Sequence, residues 1–217
     1  MKTASIDIFQ DSRMTPRTIY GIGRNYREHA AELNNDLPSE PIVFLKHLTS
    51  LRPLEKGPLA YPGEVFHHEA EVVLLVGRAL KMGQKASWED ISAIGLGLDL
   101  TRREAQAALK AKGLPWTKAK AFDGAAPISL FIPRQKFPEL DSIKFTLHIS
   151  GELRQKGDTK DMLFSVESIL NHLLTFTSLH EGDMIFTGTP SGVGPIKHGD
   201  SFKLIFTDLG IEFEGRL

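Results

Sequence analysis

The apolar and polar positions along the chain fall into short runs of two kinds. "RTIYGIG" (17–23), "PIVFLK" (41–46) and "EAEVVLLVG" (69–77) are apolar runs of strand length, bounded by turn or charged residues. Beyond Ile143 the pattern alternates: "IKFTLHISG", "MIFTGT" and "FKLIFTDLGIEFEGRL" place apolar and polar residues on opposite strand faces, with turn residues between them. Helical signals interrupt these runs. "NYREHAAEL" has Asn25 as an N-cap, with Glu28 completing a capping-box pattern, and "SWEDISAI" starts as a helix capped by Ser87. "TRREAQAALKAKG" is closed by Gly113, and Val166, Ile169, Leu170, Leu173 and Leu174 form a helical stripe in "SVESILNHLLTFTSL". "GLGLDL" reads as a short strand, and "LRPLEKGPLAYPGE" as irregular loop. Many short strands, three or four helices and no regular βαβ alternation predict an α+β fold. Its sheet is largely antiparallel or mixed and curls into a barrel-like core. Without a linker or repeat, 1–217 reads as a single domain, 1–16 being a lead-in segment.

Composition removes several function classes. The 217 residues suffice for a sizeable core. A net charge of −1 and scattered Lys and Arg residues offer no surface for nucleic acid or anionic membrane. No apolar stretch approaches the ~18 residues of a membrane span. The chain has no cysteine, so disulfides, thiolate metal sites and a Cys nucleophile are all excluded. The N-terminal residues lack the apolar core of a secretory signal, and a cytoplasmic protein is expected.

The chemistry concentrates at "HHEAEVVLLVG" (67–77). On a strand, Glu69 and Glu71 share a face with Val73 and Leu75, so two like charges enter a face that becomes buried. Solvated carboxylates at a strand end are the plain alternative. If buried, the pair repels, and either a proton or a divalent cation must relieve it. Asp99, the only charge in "GLGLDL", offers a third oxygen ligand, although it could simply cap the next helix. His67 lies on the Glu69 face and, with His68, could make a zinc site, but three carboxylates suit Mg²⁺ or Mn²⁺ better. His29 and Glu32, three apart on one helix face, form either an exposed polar pair or a histidine base oriented by a carboxylate. Lys120 lies between Ala119 and Ala121 in a stretch with little surface character. "FTGTPSGVGP" (186–195) lacks the signatures of a phosphate loop and of a nucleophile elbow, and "GIGRNY" lacks the third glycine of a dinucleotide fingerprint.

In order along the chain, "GRNYREHAAEL", "PIVFLK", "HHEAEVVLLVG", "GLGLDLTRREAQ", "GLPWTKAKAFDGAAP" and "MIFTGTPSGVGP" resemble the fumarylacetoacetate hydrolase family. The resemblance is to its small acylpyruvate hydrolase, oxaloacetate decarboxylase and isomerase members, and it runs from about Arg17 to the C-terminus. It implies a mixed β-sheet roll with short peripheral helices, a homodimer, and a small 2-oxo acid as substrate. It also implies Mg²⁺ or Mn²⁺ on Glu69, Glu71 and Asp99, a His29–Glu32 catalytic dyad on a segment that orders with substrate, and Lys120 as the active-site lysine. Arg24, Arg103, Gln106 and Thr189 fall where such enzymes contact the substrate. His47 stands where the family often has proline, leaving Lys46 without an assigned role, and His67 and His68 are expected to have no direct one. The implied chemistry passes through a metal-stabilised enolate, leading to acylpyruvate C–C hydrolysis, oxaloacetate decarboxylation or both. The alternatives are a keto–enol tautomerase or isomerase, on oxaloacetate or an unsaturated dicarboxylate, and a catalytically silent small-molecule-binding protein.

Overall fold

A computed structural model describes residues 6–8, 12–32, 36–54 and 64–217. Residues 55–63 of the Pro- and Gly-rich loop expected before Glu64, and 1–5 and 9–11 of the lead-in, lie outside the described residues. The chain opens with a small antiparallel pair, β1 (Ile6–Ile8) and β2 (Ser12–Met14). It continues through β3 (Ile19–Gly23), α1 (Arg27–Glu32), β4 (Ile42–Lys46) and β5 (Leu51–Pro53). Next come β6 (Val65–His68), β7 (Ala70–Val76), β8 (Ile91–Leu98), α2 (Arg103–Ala111) and α3 (Thr117–Lys120). After these the chain forms β9 (Ala126–Ile128), β10 (Ile132–Pro133), β11 (Lys144–Ile149), β12 (Glu152–Asp158) and α4 (Val166–Leu173). The C-terminal part is β13 (Met184–Phe186), β14 (Gly194–Lys197), β15 (Ser201–Phe206) and β16 (Ile211–Arg216).

Among the described residues the main sheet has the order β4-β3-β13-β7-β8-β9-β5, with β10 added to β8. β3 with β13 and β5 with β9 are parallel, and its other pairs are antiparallel. A second, antiparallel sheet has the order β12-β11-β15-β16. The mixed α+β architecture, a half-barrel with few short helices, is the one the hydrophobic pattern predicts.

β7 sits at the centre, and each of its seven residues is buried. Val72, Leu74 and Val76 belong to the larger core cluster, with Ile169, Leu170 and Leu173 of α4 and the inner faces of β11 and β15. Val73 and Leu75 face a smaller cluster with Ile19, Met184 and Phe186. A strand covered on both faces reads as an unbroken apolar run, which is why "VVLLV" does not alternate. Burying each of these side chains stabilises the fold by roughly 1.5–3 kcal/mol. The face of Val73 and Leu75 is also that of Glu71, so the sheet carries this carboxylate inward together with its apolar neighbours.

Three local expectations are corrected. Leu51–Pro53, the start of the stretch expected to be irregular loop, form β5, held extended by parallel pairing with β9. "SWEDISAI" is not a helix. Ser87 caps a single 3-10 turn, Trp88–Asp90, and the chain then enters the eight-residue β8 that includes "GLGL". Pairing with β7 on one side and with β9 and β10 on the other holds Ile91–Leu98 extended, and glycines at 95 and 97 weaken any helix there. Gly97 is required for packing, since a Cβ at that position would lie 2.8 Å from the Phe186 ring. The third correction concerns Asn25. α1 begins only at Arg27, and the Asn25 amide is bonded elsewhere. Fully buried, Asn25 donates from Nδ2 to Thr187 O (2.8 Å) and Phe164 O (3.2 Å), and its Oδ1 accepts from Phe164 N (2.8 Å). The entry to α1 is thereby fixed to two distant loops. Asn25→Ala removes all three bonds and leaves buried groups unpaired, so we expect a loss of about 2–4 kcal/mol. Urea denaturation, read as a shift of midpoint at constant slope, measures it.

Candidate metal centre and catalytic cavity

The strand pairing brings three acids together. Glu71 lies opposite Gly97 in the β7–β8 ladder. Glu69 lies in the break between β6 and β7, not within one continuous strand, yet its carbonyl still accepts from Asp99 N at 2.8 Å. Asp99 comes directly after β8. It does not cap α2, whose N-cap position is held by Arg102 without a side-chain bond. Ligand atoms of Glu69, Glu71 and Asp99 all lie within 4.8 Å of one another, and all three residues are buried. Solvated strand-end carboxylates are therefore excluded.

Three cations surround these acids. Lys120 Nζ bridges Glu69 Oε2 (2.6 Å) and Asp99 Oδ2 (2.5 Å). Arg103 Nη2 meets Glu69 Oε1 at 2.5 Å, and its Nη1 donates to Gln106 Oε1 at 2.7 Å. Lys46, which the sequence left without a role, places Nζ 2.7 Å from Asp99 Oδ1 and donates to the carbonyls of Lys120 and Ala125. The signal available for it was a lysine closing an apolar strand. Burial raises the Glu69 carboxyl, but the Lys120 and Arg103 charges outweigh this and hold it well below the usual carboxylate range. Burial lowers the Lys120 ammonium, but the Asp99 and Glu69 charges raise it further. Lys46 is lowered by burial in spite of Asp99. Glu71 differs from the other two acids. Its Oε2 accepts from Gly188 N (2.7 Å), but no described cation pairs with it, and burial followed by the Asp99 and Glu69 charges pushes it well above the ordinary range. A buried, all-oxygen donor set with one uncompensated carboxylate fits a hard divalent cation.

The other nominated residues line the same small cavity, of about 40 Å³, or flank it. His29 is buried, with Nδ1 3.3 Å from Glu32 Oε2. α1 is docked on the glycine-rich loop by Ser191 Oγ to Glu28 Oε2 (3.1 Å) and Gly192 N to Glu32 Oε1 (3.2 Å). Gly188 is needed in that loop, because its φ is +100° and a Cβ would lie 2.7 Å from Asn25 Cβ. Thr189 lines the cavity, but its hydroxyl donates to Ala70 O (2.9 Å) and accepts from Gln155 Nε2 (2.8 Å). Gln155, which drew no attention in the polar run "ELRQKGD", also accepts from Ala70 N and meets His68 Nδ1 (3.1 Å). His68 is thus turned to this buried network, and His67 to Arg103 Nε at 3.4 Å, so the cluster of acids includes neither histidine. Arg24, Phe44, Lys110 and Trp116 complete the walls. Phe44, Lys110 and Trp116 were not singled out by sequence, since each is ordinary in its own run.

A family model for the fumarylacetoacetate (FAA) hydrolase C-terminal region matches residues 18–212. The mitochondrial oxaloacetate decarboxylase of Dictyostelium discoideum is 39% identical over 203 residues, covering 92% of this chain and 93% of that protein. The mitochondrial oxaloacetate tautomerase FAHD1 of Bos taurus is 40% identical over 190 residues, 86% of each chain. The crystal structure of fumarylpyruvate hydrolase from Pseudomonas aeruginosa, in complex with Mn²⁺ and pyruvate, aligns with a TM-score of 0.91 at 32% identity. It covers 100% of this chain and 96% of that one.

The Glu71 carboxyl supplies a test with a defined sign. Because its folded pKa is raised, metal-free folded protein keeps a proton that the unfolded chain releases above its ordinary 4.5. Its contribution therefore favours the fold at low pH and is lost as pH rises through the folded value. Without metal at pH 8, Glu71→Gln is expected to melt higher than the parent and to gain less on addition of Mn²⁺. Thermal unfolding with EDTA and with Mn²⁺ reads both effects.

Proposed function

The chain belongs to the fumarylacetoacetate hydrolase family, and on that premise we propose that it is a divalent-metal-dependent enzyme acting on small 2-oxo acids through an enolate. Acylpyruvate C–C hydrolysis or oxaloacetate decarboxylation is the main reaction in this reading. One observation carries it: Glu69, Glu71 and Asp99 converge within 4.8 Å in the cavity that His29 and Lys120 also line. A relative that binds Mn²⁺ and pyruvate, and others that act on oxaloacetate, support the same class of substrate.

Mg²⁺ or Mn²⁺ on the three carboxylates would supply positive charge against the oxygen on which the enolate charge develops. The side chains do the remaining work. Arg103, oriented by Gln106, offers guanidinium N–H groups to the substrate carboxylate. Lys120, buried and ion-paired with Glu69 and Asp99, donates from Nζ to a developing oxyanion. His29 is oriented by Glu32; with Nδ1–H donating to that carboxylate, Nε2 is the base. In hydrolysis Nε2 takes a proton from the water that attacks the distal carbonyl. The bond from that carbon to C3 then breaks, its pair enters the pyruvate enolate, and the imidazolium gives the proton to C3. In decarboxylation CO₂ leaves C3, its bonding pair enters the enolate, and the same imidazole delivers to C3 a proton drawn from solvent.

Keto–enol exchange is the second reading, favoured by the 40% identity to an oxaloacetate tautomerase. Here His29 would carry a proton to and from C3 with no bond cleaved between carbons. A homodimer and a cytoplasmic location belong to the proposal, the former on the family resemblance; no described helix is long and apolar enough to cross a membrane.

Purified protein assayed with oxaloacetate, acetylpyruvate and enol-oxaloacetate, with and without Mg²⁺, separates these reactions. We expect turnover of at least one, abolished by chelation; no turnover of any would overturn this reading and leave an isomerase of another unsaturated dicarboxylate or a silent binding protein. Enol-to-keto conversion much faster than release of CO₂ or pyruvate would select the second reading. His29→Ala should lower kcat about 10²–10⁴-fold while metal affinity measured by calorimetry stays unchanged.

A further inference from the structure

We propose that Lys110, with Arg24, forms a distal carboxylate subsite that selects 2-oxo acids carrying a second carboxylate over those with a neutral tail. This rests on the 2-oxo-acid reading above and adds to it the residue that sets substrate choice. Arg103, Gln106 and Lys110 stand three and four residues apart on α2, so they share one helix face, and all three line the cavity that holds the acids. Arg103 and Gln106 are committed to the inner end, bonded to each other and, through Arg103, to Glu69. Lys110 lies one turn beyond Gln106, about 6 Å farther along the helix axis. That offset is comparable to the separation of the end carbons of an extended four-carbon diacid, about 4 Å for bonds near 1.5 Å, with the reach of the carboxylate oxygens added.

Arg24 reaches the cavity from a different element. It comes after Gly23 at the end of β3, is a non-glycine residue with φ of 56°, and lines the same cavity. The Lys110 ammonium is lowered by burial first, then by the positive charges of Arg24 and Arg103. Three cations thus line one small cavity, and a second substrate carboxylate placed between Lys110 and Arg24 offsets their mutual repulsion. Phe44 and Trp116, with ring centroids 6.0 Å apart, line the cavity too and would suit an uncharged acyl tail, so the test must compare both kinds of substrate.

The Mg²⁺-loaded parent, Lys110→Met and Lys110→Arg are compared in two ways. Turnover is measured with oxaloacetate and acetylpyruvate, and binding of malate and of lactate, which lacks the distal carboxylate, is measured by calorimetry. In Lys110→Met the oxaloacetate-to-acetylpyruvate ratio of kcat/KM should fall about 10–100-fold, the scale of one lost charge-assisted hydrogen bond. The fall should come mainly through KM for oxaloacetate. The preference for malate over lactate should fall by a similar factor, and Lys110→Arg should retain most of both. Ratios within twofold of the parent in Lys110→Met, or equal losses on both members of each pair, overturn the proposal. If the parent turns over neither substrate, the catalytic reading fails, and the malate-to-lactate ratio alone decides the subsite.

Discussion

Three carboxylates buried within 4.8 Å of one another repel, and the surrounding structure is organised around that repulsion. Lys120 and Lys46 compensate Asp99, and Lys120 and Arg103 compensate Glu69, each through contacts of hydrogen-bond length. Glu71 receives a single backbone N–H, from Gly188. The centre is therefore asymmetric: two acids have their charge matched by protein cations, and one has its charge left over. Such a pocket is poised for a cation or a proton, and it is held by elements that are themselves rigid. Glu71 is in the central strand of the sheet, and Lys46 ties β4 to the backbone at Lys120 and Ala125.

The same cations that steady the acids also constrain the chemistry. Lys120 cannot be treated as a free amine, because its charge is held up by Glu69 and Asp99. In the proposed reaction it acts as a donor of hydrogen bonds, and proton transfer falls to His29. His29 comes from a short helix docked on the 188–192 loop, whose Gly188 N–H reaches Glu71. Asn25, bonded to Phe164 and to Thr187 at the start of that loop, links the position of the base to that of the acids. Base, loop and acids thus form one connected set of contacts, and moving one strains the others.

Much of the fold was legible because burial imposes periods on a sequence. Strands 19–23, 42–46 and 70–76 and helix 166–173 lie where the apolar runs and stripes placed them. The polar strand "ELRQKGD" carried no such period, since β12 lies at the edge of its sheet and exposes most of its residues. "SWEDISAI" misled for a related reason. Ser87 is a genuine cap, but the conformation of Ile91 onward was decided by pairing with β7, a partner some twenty residues earlier that no local window contains.

The candidate site divides in the same way. Which residues are chemically eligible was determined by the sequence alone: the E-x-E spacing of Glu69 and Glu71, an acid ending a glycine-rich strand at Asp99, and a histidine three residues before Glu32. Those are properties of residue type and short-range period, and they survive without any knowledge of distant contacts. Only the tertiary structure decided which cations compensate which acid, that Lys46 reaches Asp99 across 53 positions of sequence, that the Thr189 hydroxyl is already committed to Ala70 and Gln155, and that Lys110 shares a cavity with Arg24. The physical reason is that charge compensation acts over a few ångströms of space, and chain folding brings those ångströms together from anywhere in the sequence.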